Sequence, residues 1–209
     1  MATDVIKTDF VKTLPSYSAK NGRFDIVQIP PMRYLAADAE GAPEDASFGE
    51  AVAALFPLAY ALKFASKREL DRDYVVPPLE ALWWSDDLAV FTTSYDRSKW
   101  RSTALIMLPA WITEPMLDAA REACAKKVPA DALARVRVAE LNEGTCGQTL
   151  HLGPFADEGP TIEALHRAIA DAGMALVGKH HEIYLSDFRR TAPEKLKTII
   201  RQPAGPPAS

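Results

Sequence analysis

Leu79-Glu80-Ala81-Leu82-Trp83-Trp84 and His180-His181-Glu182-Ile183-Tyr184-Leu185 read as two β-strands, and each stands behind a helix. Ahead of the first, Phe48, Val52, Leu55, Ala59 and Leu62 recur at steps of four, three, four and three. That spacing draws one apolar stripe along a helix over 47–64. Ser47 or Asp45 can cap its start, and Pro57 is expected to clash with the Ala53 carbonyl and kink it. Ahead of the second strand, Thr161, Ile162, Leu165 and Ile169 mark a helix ending near Gly173. A lead strand enters each helix, over 32–37 and 147–152, through an acidic loop with Gly and Pro (Glu40-Gly41-Ala42-Pro43; Glu158-Gly159-Pro160). A further strand closes each half, over 102–108 and 197–201. The order strand, helix, strand, strand thus occurs twice, with a charged-loop insertion near 65–76 in the first half. This predicts an α+β fold of two pseudo-symmetric βαββ repeats. Between them, a helix capped by Thr113 runs to about Lys126, and Arg135-Val136-Arg137-Val138 alternates as a strand.

The chain has 209 residues, 48% hydrophobic and 25% charged, which is the balance of a globular domain. Its net charge is −4, so a basic face for nucleic acid is not expected. Ala51 to Leu62, the longest nearly apolar run, holds Pro57 and is far shorter than the roughly 20 residues of a membrane span. No secretory signal is visible at the N-terminus. Cys124 and Cys146 form no CxxC pair, so two free thiols and a cytoplasmic home are expected. The expected organisation is a leader over 1–22, one domain over 23–203 (repeats about 23–108 and 133–201) and a flexible tail over 204–209.

Side chains alternate faces along a strand. His180, Glu182 and Tyr184 therefore share one face, and His181, Ile183 and Leu185 the other, where the apolar set is expected to meet the helices. Thr149 and His151 oppose Leu150 and Leu152 in the same way. The repeat sets Glu80 against Glu182 across a concave face, among Trp, Tyr and His side chains. Two carboxylates there suit a flat, apolar, often cationic molecule. A strand glutamate also serves as a cross-strand ion-pair partner on a wet surface. Adjacent His180 and His181 point apart and do not chelate one metal; His151 and His166 read as surface or hydrogen-bonded residues. No metal or organic cofactor is expected. The sequence holds no G-x-G-x-x-G, Walker loop, H-E-x-x-H or G-x-S-x-G, which removes nucleotide, zinc-hydrolase and α/β-hydrolase chemistry. Carboxylates and a phenol remain as acid–base groups.

The run from Asp73 to Trp84 (DYVVPPLEALWW) and the run from His180 to Asp187 (HHEIYLSD) resemble the GyrI-like small-molecule-binding family. Ala59 to Phe64, Glu143-Gly144, Leu150 to Phe155, Glu158 to Thr161 and Lys197 to Arg201 match its pattern as well. The resemblance implies a ligand cleft between two βαββ units, with helices on one side of antiparallel sheets. Similar domains sense drugs in multidrug-responsive activators, where a buried glutamate meets cationic aromatics; some stand-alone members hydrolyse the cyclopropane of DNA-alkylating cyclopropanoids. No helix-turn-helix fits before residue 23, which favours a stand-alone protein that protects the cell. In that scheme Glu182 activates a water and Tyr184 serves the developing phenolate. Trp84, Tyr74 and Trp100 sandwich the planar ligand, and Glu80, Trp83, His151, Phe155 and His180 line its cleft. Phe155 stands where the family usually has Tyr, and Phe188 where it commonly has Pro. The expected partner is a planar aromatic small molecule, with no nucleic acid or membrane, and the chain is a monomer or homodimer. The rival expectation is a non-catalytic binder that sequesters drugs or acts on gyrase.

Overall fold

In the computed structural model the structure describes residues 7–86 and 96–207. The first half runs through β1 (Asp25–Ile29), β2 (Met32–Glu40), α2 (Ala46–Leu70), β3 (Leu79–Trp84) and β4 (Arg101–Leu108), after a short α1 (Phe10–Thr13). Two helices, α3 (Glu114–Cys124) and α4 (Ala130–Arg135), lead to β5 (Arg137–Leu141). The second half is β6 (Gly144–Leu152), α5 (Gly159–Asp171), β7 (Ala175–Leu176), β8 (His180–Tyr184) and β9 (Lys197–Gly205). The expected order recurs as β2-α2-β3-β4 and β6-α5-β8-β9, in an α+β fold. Every pairing in the sheet is antiparallel, in the order β1-β6-β9-β8-β3-β4-β2-β5, with β7 on β9.

One ribbon bends this sheet back on itself. Asp25 pairs with Gln148 and Ile29 with Gly144; the same register continues from Met32 with Leu141 to Ala36 with Arg137. Pro30-Pro31 lies at the join, opposite Asn142-Glu143. Proline lacks the N–H of a ladder donor, so the join is where the ribbon turns. Because β6 and β2 end the path through β9, β8, β3 and β4, the ribbon draws its ends together. The inner face encloses Tyr34, Leu82, Leu105, Met107, Cys146, Ile183 and Ile199. On the outer face, Leu55, Leu58 and Leu62 of α2 pack on Leu35, Ala37, Ala104 and Ile106. Leu165 and Ile169 of α5 pack on Ile200. Gly147 permits this approach, since a Cβ there would lie 2.6 Å from Ile169.

Several expectations are corrected. Helix α2 does not stop at 64: it continues through Leu70 and ends where Asp71 takes a left-handed φ of 54°. Lys67, Arg68 and Glu69 are its exposed face, and Lys63 reaches inward to Asp73 at 2.5 Å. Pro57 lies inside this helix, where the sequence placed it. Among the described residues α2 is the helix long and apolar enough to cross a membrane, with half of that window buried against the protein. Residues 10–17 are more than a leader: Phe10, Val11, Leu14 and Tyr17 close the inner core. The tail is strand as far as Gly205, where β7 pairs with it.

Candidate functional site

Helix α2 packs on β2 and β4, and α5 on β6 and β9. The central strands β3 and β8 therefore floor a groove between two helices. The outward residues of β8 are His180, Glu182 and Tyr184, beside Trp83, Ala81 and Leu79 of β3 in register. Glu182 is the centre. Its Oε1 lies 3.2 Å from His180 Nε2, and its Oε2 accepts the Tyr184 hydroxyl at 2.7 Å. Trp83 Nε1 donates in turn to Tyr184 Oη at 3.2 Å. The Glu182 side chain keeps 14% of its exposure. Burial pushes its pKa up, but the His180, Tyr184 and Trp83 donors outweigh that and hold it below the usual carboxylate value. Burial, then the Glu182 charge, holds Tyr184 well above a normal phenol, so it remains a donor.

Aromatic rings stand around this floor. Phe155 crosses Tyr184 edge-on at 5.5 Å and meets Phe188 at 6.3 Å. Both outer rings are about half exposed. Trp83 has Phe48 at 5.3 Å and Trp100 at 6.2 Å. Such ring edges and faces accept flat ligands with centroid spacings of this size.

The inner face carries a separate, buried polar cluster. Tyr17 donates to Glu80 Oε1 at 2.6 Å, and His181 Nε2 lies 3.0 Å from Glu80 Oε2. His181 Nδ1 contacts Glu143 at 2.9 Å, and Arg201 binds the other Glu143 oxygen at 2.8 Å. Arg201 also reaches Gln148 at 2.8 Å and the Ser16 carbonyl at 2.6 Å. Burial lowers His181, yet Glu143 and Glu80 raise it to about 9. Burial raises Glu143, yet His181 and Arg201 bring it to about 2. Two carboxyl groups thus face two cations in a dry interior, and each side chain needs the others.

The model of the GyrI-like small molecule binding domain matches residues 23–204. The chain belongs to this family. Three solved structures from Listeria innocua are similar over their whole length. One, an uncharacterized conserved protein, is 36% identical, with a TM-score of 0.84 over 95% of this chain and 100% of that one. Two are described as hydrolases: 35% identical at a TM-score of 0.81, and 36% identical at 0.82, covering 95% and 96% of this chain and 100% of theirs. The C-terminal domain of EcmrR shares the fold at 10% identity, with a TM-score of 0.55 over 88% of this chain and 98% of that domain. No curated protein gives a significant match.

In this GyrI-like domain the strand parity holds, but the buried side is reversed. Ile183 packs inward, while Glu182 shares the outer face with the helices. Ala81, not Glu80, is the cross-strand neighbour of Glu182. Glu80 is thus removed from the expected position across the cleft, because one residue of register changes the face. Trp84 also points inward, with the Lys179 ammonium 3.1 Å from its ring centroid. Tyr74 is buried between Phe10 and Trp111, each at 6.1 Å, away from the β8 floor. His180, Tyr184, Trp83, Phe155 and, through Trp83, Trp100 gather around Glu182. His151 lies on β6 under α5, with Nδ1 3.0 Å from Thr161 Oγ1. No cluster fit to hold a metal occurs among the described residues. Sequence reasoning missed Glu158, whose carboxyl feels the charge of Glu182, and Thr198, the cross-strand partner of Tyr184. The alternation of β9 could have found Thr198, which shares a face with Ile200.

Proposed function

We propose that this GyrI-like protein hydrolyses the cyclopropane of planar, DNA-alkylating cyclopropanoids and so protects the cell that holds it. The observation that carries the reading is the ionised Glu182 on the groove floor, with His180 and Tyr184 fixing its two oxygens. The hydrolase descriptions of the two Listeria innocua structures support the reaction class.

Glu182 takes a proton from a water whose oxygen bonds to the less hindered ring carbon. The strained carbon–carbon bond breaks, and its electron pair passes through the conjugated system to the carbonyl oxygen, forming a phenolate. The phenolate then takes up the proton, directly or through Tyr184. The net change is addition of one water. Phe155, Phe188, Trp83 and Trp100 supply ring contacts that hold a flat substrate over the carboxylate.

Incubation with an excess of a cyclopropane-bearing alkylator, followed by mass analysis, tests the reading. The expected product carries one added water and forms over many turnovers. Glu182→Gln keeps the shape and removes the base, so turnover falls by about 10² or more. Loss of only one ligand per protein, with no water added, refutes catalysis and makes the protein a sequestering binder.

A further inference from the structure

The hydrogen bonds around Glu182 leave the Tyr184 proton one place to go. Trp83 Nε1 lies 3.2 Å from Tyr184 Oη, and Tyr184 Oη lies 2.7 Å from Glu182 Oε2. An indole N–H only donates, and an ionised carboxylate only accepts. A phenol carries a single proton. With a donor on one side and an acceptor on the other, that proton points at Glu182. By the same rule His180 Nε2, 3.2 Å from the second carboxylate oxygen, carries its own proton. Every donor in this chain is therefore directed at the carboxylate.

The register of the sheet shows how Trp83 reaches the tyrosine. Trp83 stands opposite His180, Ala81 opposite Glu182 and Leu79 opposite Tyr184. Between Trp83 and Tyr184 the indole thus crosses the row that holds Glu182. Ala81, the other member of that row, has a side chain short enough to leave it room. The ring is 5% exposed, with Phe48 at 5.3 Å and Trp100 at 6.2 Å.

We propose that Trp83 is a positioning residue: its N–H commits the Tyr184 proton to Glu182 Oε2 and so fixes the base in one orientation, as an acceptor. The proposal rests on the reading of Glu182 given above. A hydroxyl that accepts one hydrogen bond donates a stronger one. The indole thus acts on Glu182 through Tyr184 and does not need to touch the reacting atoms. Without the N–H, the hydroxyl is free to turn away, and the charged carboxylate loses part of its support. The other titratable groups that act on Glu182 are His180 on its own strand and Glu158 at the start of α5.

The test replaces residue 83 of the full chain in three ways. Trp83→Phe keeps an aromatic ring and removes the N–H. Trp83→benzothienylalanine keeps the bicyclic shape, again without the N–H, and serves if the phenylalanine variant melts early. Trp83→5-fluorotryptophan keeps both shape and N–H. Isotope-edited NMR of the glutamate carboxyls reads the Glu182 titration with no substrate present. The acid limb of kcat/KM on the cyclopropanoid reads it during turnover. Both are expected to move up by about half a pH unit in the two proteins that lack the N–H, the lower end for one neutral hydrogen bond, and to stay at the parent value with 5-fluorotryptophan. KM is expected to remain within about twofold, since the ring contacts persist. An unmoved carboxyl titration without the N–H overturns the proposal. So does an equal shift in all three proteins, which assigns the effect to ring packing. A rise in KM alone makes Trp83 a substrate contact and overturns it as well. A parent that turns over no cyclopropanoid refutes the Glu182 reading, and the role of Trp83 in catalysis with it. Turnover in the parent with an unmoved titration leaves that reading standing and removes Trp83 alone.

Discussion

Changing Tyr184 to Phe probes what keeps Glu182 charged. The Tyr184 hydroxyl donates to Glu182 Oε2 at 2.7 Å. A hydrogen bond to an ionised group contributes about 1.5–3 kcal/mol. One pKa unit corresponds to about 1.4 kcal/mol. The donor favours the charged form, so its loss raises Glu182 by about one to two units while burial keeps pushing the same way. His180 stays on Oε1, and Trp83 Nε1, released from Tyr184 Oη, can turn toward the vacated oxygen. These two donors place the shift at the lower end. Two assays read it: the acid limb of the kcat/KM profile, and isotope-edited NMR of the glutamate carboxyls. Both are expected to move to higher pH together. An unmoved limb with an unmoved carboxyl titration refutes the argument that Tyr184 holds Glu182 ionised.

Arg201→Met strands Glu143 in the inner core and is expected to cost about 3–5 kcal/mol in chemical denaturation, against under about 1 kcal/mol for the exposed Arg135→Met. His181, with Glu80, Glu143, Arg201, Tyr17 and Tyr34 around it, has a folded pKa raised from 6.5 to about 9. Its contribution, on the order of 3 kcal/mol, is complete below the unfolded value and is lost as pH rises through about 9. Thermal melting against pH should show that decline, and His181→Asn should flatten it. Gly147→Ala drives a methyl against Ile169 and is expected to destabilise by about 1–3 kcal/mol, with Ile169→Val restoring part of the loss in a double-mutant cycle.

Element order was legible because apolar steps and strand alternation are local signals. The face of each strand was not. In β8, Ile183 and Leu185 looked like the helix-facing set, but a sheet that curls has two interiors, and Ile183 belongs to the inner one. That second interior is made by pairing of Asp25 with Gln148, a contact no local pattern announces. The same cause misplaced Glu80 and Trp84. The end of α2 was misread because Lys67, Arg68 and Glu69 look like a loop when their buried neighbours Ala65 and Ser66 carry little apolar signal. Glu182, Tyr184 and His180 were legible as a group, since alternation alone sets them together. Glu158 was not, because its partners come from two other elements, β8 and β9.

The ribbon that joins residues 25–36 to 137–148 also sets an order of assembly. β1 leaves the ribosome more than a hundred residues ahead of the strand it pairs with, and β9, which carries Arg201, comes last of all. Until then the inward side chains of β2, β3 and β4 (Tyr34, Leu82, Leu105 and Met107) lack the wall that carries Ile199. Pairings this distant in sequence form slowly, and uncovered apolar strands associate with other chains while they wait. A protein built this way gains its sealed interior only once β9 has emerged. Truncations that spare the whole groove floor but remove β9 should therefore leave insoluble chains rather than smaller working domains.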